Sequence, residues 1–245
     1  MMIAVLLRRG LLTGLLAGLG TGLFFFVVGE PTITQALRYE AVPAGEQSVE
    51  VFSRTTQRLG LLVATGLYGT ALGGVFAPLY AAIVLRLRTG SAWDRSLWLA
   101  GIAFVSVWLV PFVKYPSNPP AVGDPATIGL RTRLYMAMIV ISVAASTAAW
   151  VASRRLAARG LDRARRQLVV AVGYVVVVGT AFALLPANPD AIVVPAKVIW
   201  NARVTSVGGQ ALFWALLGVG FGLLSLRAER QASGELAGRT VQASA

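Results

Sequence analysis

The chain has 245 residues, a length that in a water-soluble protein makes one or two domains. Yet 56% of its residues are hydrophobic, only 13% are charged, and the mean hydropathy is +0.71. A soluble domain carries about a quarter charged residues, so the composition excludes a globule with a wetted surface and defines an integral membrane protein. There is no Cys and no His, which excludes disulfides, thiolate or imidazole metal sites, and Cys or His catalysis within this chain. The formal charge of +12 comes almost wholly from arginine, the only lysines being Lys114 and Lys197. Membrane proteins concentrate arginine on cytoplasmic loops, so the charge calls for no nucleic acid partner.

An apolar helix of about 20 residues crosses the ~30 Å hydrocarbon core of a bilayer. Six stretches meet that requirement: 11–28, 59–85, 96–113, 134–152, 168–185 and 206–226. The expected fold is all-α and polytopic, with residues 1–227 forming one transmembrane domain. The first stretch follows Arg8 and Arg9, as the core of a signal peptide would. It is longer than the usual apolar core of about 7–15 residues, and Val27-Val28-Gly29-Glu30 is a poor cleavage site, so it reads as a retained span. The segment 191–200 contains Pro195, is too short to span, and is expected at the interface or re-entering the membrane. Residues 228–245 are polar and small and are expected to be mobile.

Basic residues set the orientation. Fourteen of them fall on the side holding both termini and eight on the other, which predicts cytoplasmic termini. The strongest anchor is the run Arg154, Arg155, Arg159, Arg163, Arg165 and Arg166, which reads as a topology signal or a contact for anionic lipid.

The three outer loops look like versions of one unit. The first leaves the membrane at Gly29-Glu30-Pro31 and returns after Arg58. The second leaves through Pro111 and Lys114-Tyr115-Pro116-Ser117-Asn118-Pro119-Pro120, and returns after Arg131-Thr132-Arg133. The third leaves at Leu185-Pro186-Ala187-Asn188-Pro189-Asp190 and returns after Arg203. Pro-x-Asn-Pro recurs in the last two, and Arg58, Arg133 and Arg203 recur at spacings of 75 and 70 residues. Three related helical hairpins are expected, a parallel-repeat design known among transporters.

Within the spans, Gly14, Gly18 and Gly22, and Gly69, Gly73 and Ala77, are spaced for close helix packing. The six tryptophans read mainly as an interfacial belt. No phosphate-binding loop and no catalytic set stands out. The carboxylates that merit weight are Glu30, Asp124 and Asp190, all at the outer side. A divalent cation would find oxygen ligands in Glu30, Asn118, Asn188 and Asp190, with water completing its shell. Arg58, Arg133 and Arg203 would balance these carboxylates, and Lys114 and Tyr115 would support the second loop. The alternative for Glu30 is an interfacial ion pair that fixes helix ends. The outer ends of the first, third and fifth spans are expected to converge on one pocket.

Three groups of these residues carry a resemblance. Gly29-Glu30-Pro31 is one. Pro111-x-x-Lys114-Tyr115-Pro116-x-Asn118-Pro119-Pro120-x-x-Gly123 is the longest. Leu185-Pro186 followed by Trp200-x-x-Arg203 is the third. Over roughly residues 5–227 the chain resembles the CbtA-type membrane subunit, a predicted cobalt transporter. The resemblance implies a bacterial inner-membrane protein of five or six spans, with cobalt as transported substrate and no resident cofactor. It also implies a small single-span CbtB-type partner with a His-rich segment, which would supply the soft ligands this chain lacks. Self-association stays open. The other functions compatible with the residues are a non-transporting scaffold or regulatory subunit and, less well supported for want of a catalytic set, an enzyme acting on lipid-linked substrates.

Overall fold

The computed structural model describes residues 2–39, 52–86, 90–188, 190–192 and 194–243. Helices α1 (Met2–Phe24), α2 (Glu30–Leu37), α3 (Arg54–Arg86), α4 (Ala92–Ala103), α5 (Val110–Lys114), α6 (Ile128–Ala158), α7 (Arg163–Leu184) and α8 (Ala196–Ala243) account for nearly all of them, with no strand among the described residues. A π-helical turn, Phe25–Gly29, joins α1 to α2, and a second, Phe104–Leu109, joins α4 to α5. The result is six helices long and apolar enough to cross a membrane: Ile3–Leu37, Arg54–Ala82, Ala92–Lys114, Pro125–Ala158, Arg163–Leu184 and Ala196–Gln231. Their outward faces are apolar. Helix α7 alone exposes Leu168, Val169, Val172, Val175 and Val176, a surface that needs lipid as its solvent.

Both π turns have the same cause. Pro31 and Pro111 have no N–H to give an α-helical bond, and each ring would strike the carbonyl four residues back. The residue just before each proline bonds five back instead: Glu30 N–H to the Phe25 carbonyl, Val110 N–H to the Val105 carbonyl. The widened turn relieves the clash without breaking the span.

Two features of the C-terminal third add to the sequence reading. Helix α8 runs on to Ala243, through residues expected to form a mobile tail. Ala, Glu, Gln, Arg and Leu dominate there and are good helix formers, with Gly234 and Gly238 opposing them. The segment 191–200 is divided between a loop and a helix among its described residues. Its second half, from Ala196, is the first turn of α8, and Pro195 sits just before that start, where a missing N–H costs nothing.

The chain divides into two compact units. The described parts of residues 1–30, 42–101 and 208–245 make the first; those of 31–41 and 102–207 make the second. In the first unit α1 and α3 pair along their glycines. A Cβ placed on Gly10, Gly14 or Gly18 would lie 2.2, 2.1 or 2.1 Å from the carbonyl oxygens of Gly73, Gly69 and Thr65. The packing role expected of Gly14, Gly18, Gly69 and Gly73 is thus what the two helices display, and Gly10 shares it: backbones in direct contact. Phe221 of α8 meets Phe76 and Tyr80 of α3 edge-on at 5.2 and 4.8 Å. The buried Ser96 hydroxyl donates to the Gly218 carbonyl at 2.7 Å. Arg95 pairs with Glu229 at 2.6 Å.

The second unit has two small cores. Ala36, Val122, Val194, Val198 and Ile199 form one. Tyr115, Met138 and Ala181 form the other, with Leu134, Tyr135, Val178 and Phe182 packed against it. Helix α6 lies against both α5 and α7, and the hydroxyls of Ser106 and Ser146 meet at 2.7 Å.

Candidate functional site

A cavity of about 400 Å³ lies within the second unit. Its walls come from the end of the third span, the Pro116–Gly123 turn, the first two turns of α6 and Asn188 of the following loop. Both Pro-x-Asn-Pro asparagines, Asn118 and Asn188, line it. Pro189, the last residue of the second copy, lies outside the described residues.

Local chemistry explains why these loops come together. Lys114 ends α5 and donates to the Phe182 carbonyl at 2.7 Å, covering one of the orphan carbonyls at the end of α7. The Tyr115 hydroxyl donates to the Pro186 carbonyl at 2.7 Å, and burial raises its pKa above the usual value near 10. The third span is thereby tied to the end of the fifth. The Pro119-Pro120-Ala121-Val122-Gly123 turn closes with Val122 N–H on the Pro119 carbonyl at 3.3 Å. Ala121 adopts a left-handed conformation, φ +68°, which sends Val122 into the first of the two cores. Gly123 has φ +120°, and a Cβ there would stand 2.3 Å from Arg131 Nη1. The final glycine of the motif is therefore required twice, for its backbone angle and for the guanidinium beside it.

Arg131 is the charged group of the cavity wall. Its Nη1 lies 3.0 Å from Asp190 Oδ2, and the Asp190 side chain is 0% exposed. Thr127 donates to Asp190 Oδ1 at 2.7 Å, with a longer contact from the Asp124 N–H at 3.4 Å. The Thr127 hydrogen bond, with smaller help from that N–H and from Arg131, holds the Asp190 carboxyl below the usual aspartate range. Asp190 N–H in turn donates to Asn188 Oδ1 at 3.2 Å. Asp190 thus pins the loop after α7 to the foot of α6 and orients Asn188.

The other expected residues fall as follows. Arg203 reaches Asn118 Oδ1 at 3.5 Å, a long contact, and Ser117 meets Ser206 at 2.9 Å. Arg133 is exposed, while Arg131, two residues earlier, enters the cavity. Positions two apart on a helix point in nearly opposite directions, so only one of the pair can face inward. Glu30 belongs to the first unit, where its Oε1 accepts from Arg54 and from Arg58, the latter at 2.9 Å. Two guanidiniums on one carboxylate leave a local excess of positive charge.

The sequence reading passed over the apolar part of the wall. Trp108 stacks on Phe112 with ring centres 4.4 Å apart, and Phe104 stacks on Trp108 at 5.7 Å. Trp108 looked like a belt residue. Its spacing of four from both phenylalanines was the available signal that one face of the span carries a stacked column. Among the described residues no three His, Cys, Asp or Glu side chains gather in one place.

Six helices long and apolar enough to span a bilayer, with a loop-built cavity at the ends of three of them, define a multi-pass membrane protein. Residues 3–225 match the CbtA family, described as a probable cobalt transporter subunit, and the chain belongs to that family. No curated protein and no solved structure matches it.

Proposed function

We propose that this chain is the membrane subunit that passes cobalt, a transition metal, across the bacterial inner membrane, with both termini cytoplasmic and a small single-span His-rich subunit as partner. The observation that supports the reading is the cavity between the two Pro-x-Asn-Pro loops in a chain of the CbtA family. Asn118 and Asn188 present amides to the cargo. Asp190 and Glu30 hold arginines in place and so shape the outer ends of the spans. Sites that must release what they bind suit neutral, weakly held donors of this kind. The partner would contribute the imidazoles that select a transition metal, and the chain itself performs no covalent chemistry.

Cobalt accumulation, measured by elemental analysis of cells expressing both subunits, tests this. Asn118→Leu and Asn188→Leu are expected to lower accumulation several-fold at unchanged membrane levels of the protein. Equal accumulation with and without the chain would sink transport and favour a scaffold role.

A further inference from the structure

The cavity of the second unit is not shaped for a bare dication. The segments 114–133 and 185–203 carry Lys114, Arg131, Arg133, Lys197 and Arg203 against only Asp124 and Asp190. Asp190 is enclosed and committed to Arg131 and Thr127. A hydrated divalent ion that sheds water looks first for charged oxygens, and the wall offers it none, its one charged residue being Arg131. The rest of the lining is organic in character: the stacked Trp108 and Phe112, then Tyr115 and Met136. Apolar, aromatic walls with a few placed polar groups are the form of small-molecule sites, and about 400 Å³ falls inside their usual range.

These observations share one solution. We propose that the metal reaches this cavity already wrapped in a small carboxylate-bearing organic ligand, as an anionic chelate. Arg131 pairs with the chelate's outer carboxylate oxygens, Asn118 and Asn188 hydrogen-bond to them, and the Trp108–Phe112 wall covers its carbon skeleton. The metal keeps its ligands throughout, so no bond is made or broken at this step. The proposal rests on the transport reading above and names the form in which the cargo is held.

The full chain in detergent micelles can be titrated with three probes: cobalt(II) citrate in excess citrate, cobalt(II) chloride, and citrate alone. Tryptophan fluorescence reads occupancy, with Trp108→Phe to assign the signal. The expected result is saturable binding of cobalt citrate, at least tenfold tighter than either other probe. Arg131→Gln should weaken it by tenfold or more, as loss of a charge-assisted contact does. Because Arg131 also holds Asp190, a second variant is needed. Met136→Trp fills the cavity from a half-exposed position and leaves that ion pair intact. It should abolish binding without lowering the melting temperature. Cobalt chloride binding as tightly as the chelate, citrate alone binding as tightly, or binding that survives Met136→Trp would each overturn the proposal. Uptake into cells separates it from the reading beneath it. Accumulation from cobalt chloride that added citrate suppresses leaves transport standing and removes the chelate; no accumulation of either form removes transport itself.

Discussion

The α1–α3 contact makes the sharpest claim about stability. A methyl group on Gly14 would sit 2.1 Å from the Gly69 carbonyl oxygen and 2.9 Å from Gly73 Cα, against an ordinary contact of at least 3.4 Å. The obstacle is backbone on both sides, so no rotamer change relieves it. Gly14→Ala must separate the two helices by about 1 Å or more, and the Gly10 and Gly18 contacts open with it. A gap of that size forfeits a quarter to a half of each dispersion well along the stripe. Overpacking of this kind costs about 1–3 kcal/mol, against about 1 kcal/mol gained when alanine replaces glycine in a helix. Gly173→Ala isolates the second term, because nothing lies within 4 Å of a Cβ there. The assay is thermal unfolding in one detergent. With about 2–4 °C per kcal/mol for a chain of this size, Gly14→Ala should melt several degrees below Gly173→Ala. Gly14→Ala combined with Gly69→Ala should cost little more than either alone, since the helices are already apart. Equal melting of Gly14→Ala and Gly173→Ala would refute the backbone contact.

Two further outcomes follow from the cavity loops. Ala121→Gly should raise stability by up to about 1 kcal/mol, because a left-handed alanine costs about 1–2 kcal/mol and glycine returns part of that as entropy lost on folding; a lower melting temperature would mean the methyl group is needed for packing. Asp190 should make loop docking sensitive to acid only. Its folded pKa lies below the ordinary aspartate value of about 3.9, so its contribution is complete above that value and is lost as pH falls through the lower folded value. Trp108 fluorescence should therefore be flat from pH 7 to about 4 and change below, and Asp190→Asn should remove the change; a transition near pH 6 would show that another group governs docking.

The number and type of the helices could be read from the sequence because a membrane imposes one rule, about 20 apolar residues per span, and hydropathy reports it directly. The glycine stripe was legible for a similar reason: helix periodicity places Gly14, Gly18 and Gly22 on one face whatever the partner, and Gly10 extends it by a turn. The cavity was half legible. Asn118 and Asn188 stood out through a shared motif, and both line it. Arg131 and Trp108 did not, because their roles depend on which way a helix faces, and all-apolar spans give almost no signal for rotation. Glu30 illustrates the same limit. Its position before Pro31 marked it as special, but Arg54, which shares it with Arg58, is distant in sequence and became its partner only through the α1–α3 hairpin.

The first and third spans each carry a π turn beside a proline, and one of them can be tested as a mechanism. In the third span Val110 N–H bonds to the Val105 carbonyl, so the turn holds one residue more than an α-helical turn. Pro111 is the reason, since an α-helical turn would press its ring on the carbonyl of Val107. The extra residue and the proline are therefore two halves of one solution, and each should be harmful without the other. Deleting Val107 removes the extra residue while Pro111 still forbids the α-helical bond. That variant should lose about 3 kcal/mol or more, the usual cost of a proline inside a helix. Adding Pro111→Ala to the deletion restores an N–H that can bond four residues back. It also leaves Lys114 and Tyr115 facing Phe182 and Pro186 as before. The double variant should recover most of the lost melting temperature, a strong departure from additivity. If it melts no higher than the deletion alone, the proline is not what holds the widened turn in place, and the correspondence between Pro31 and Pro111 has no structural content.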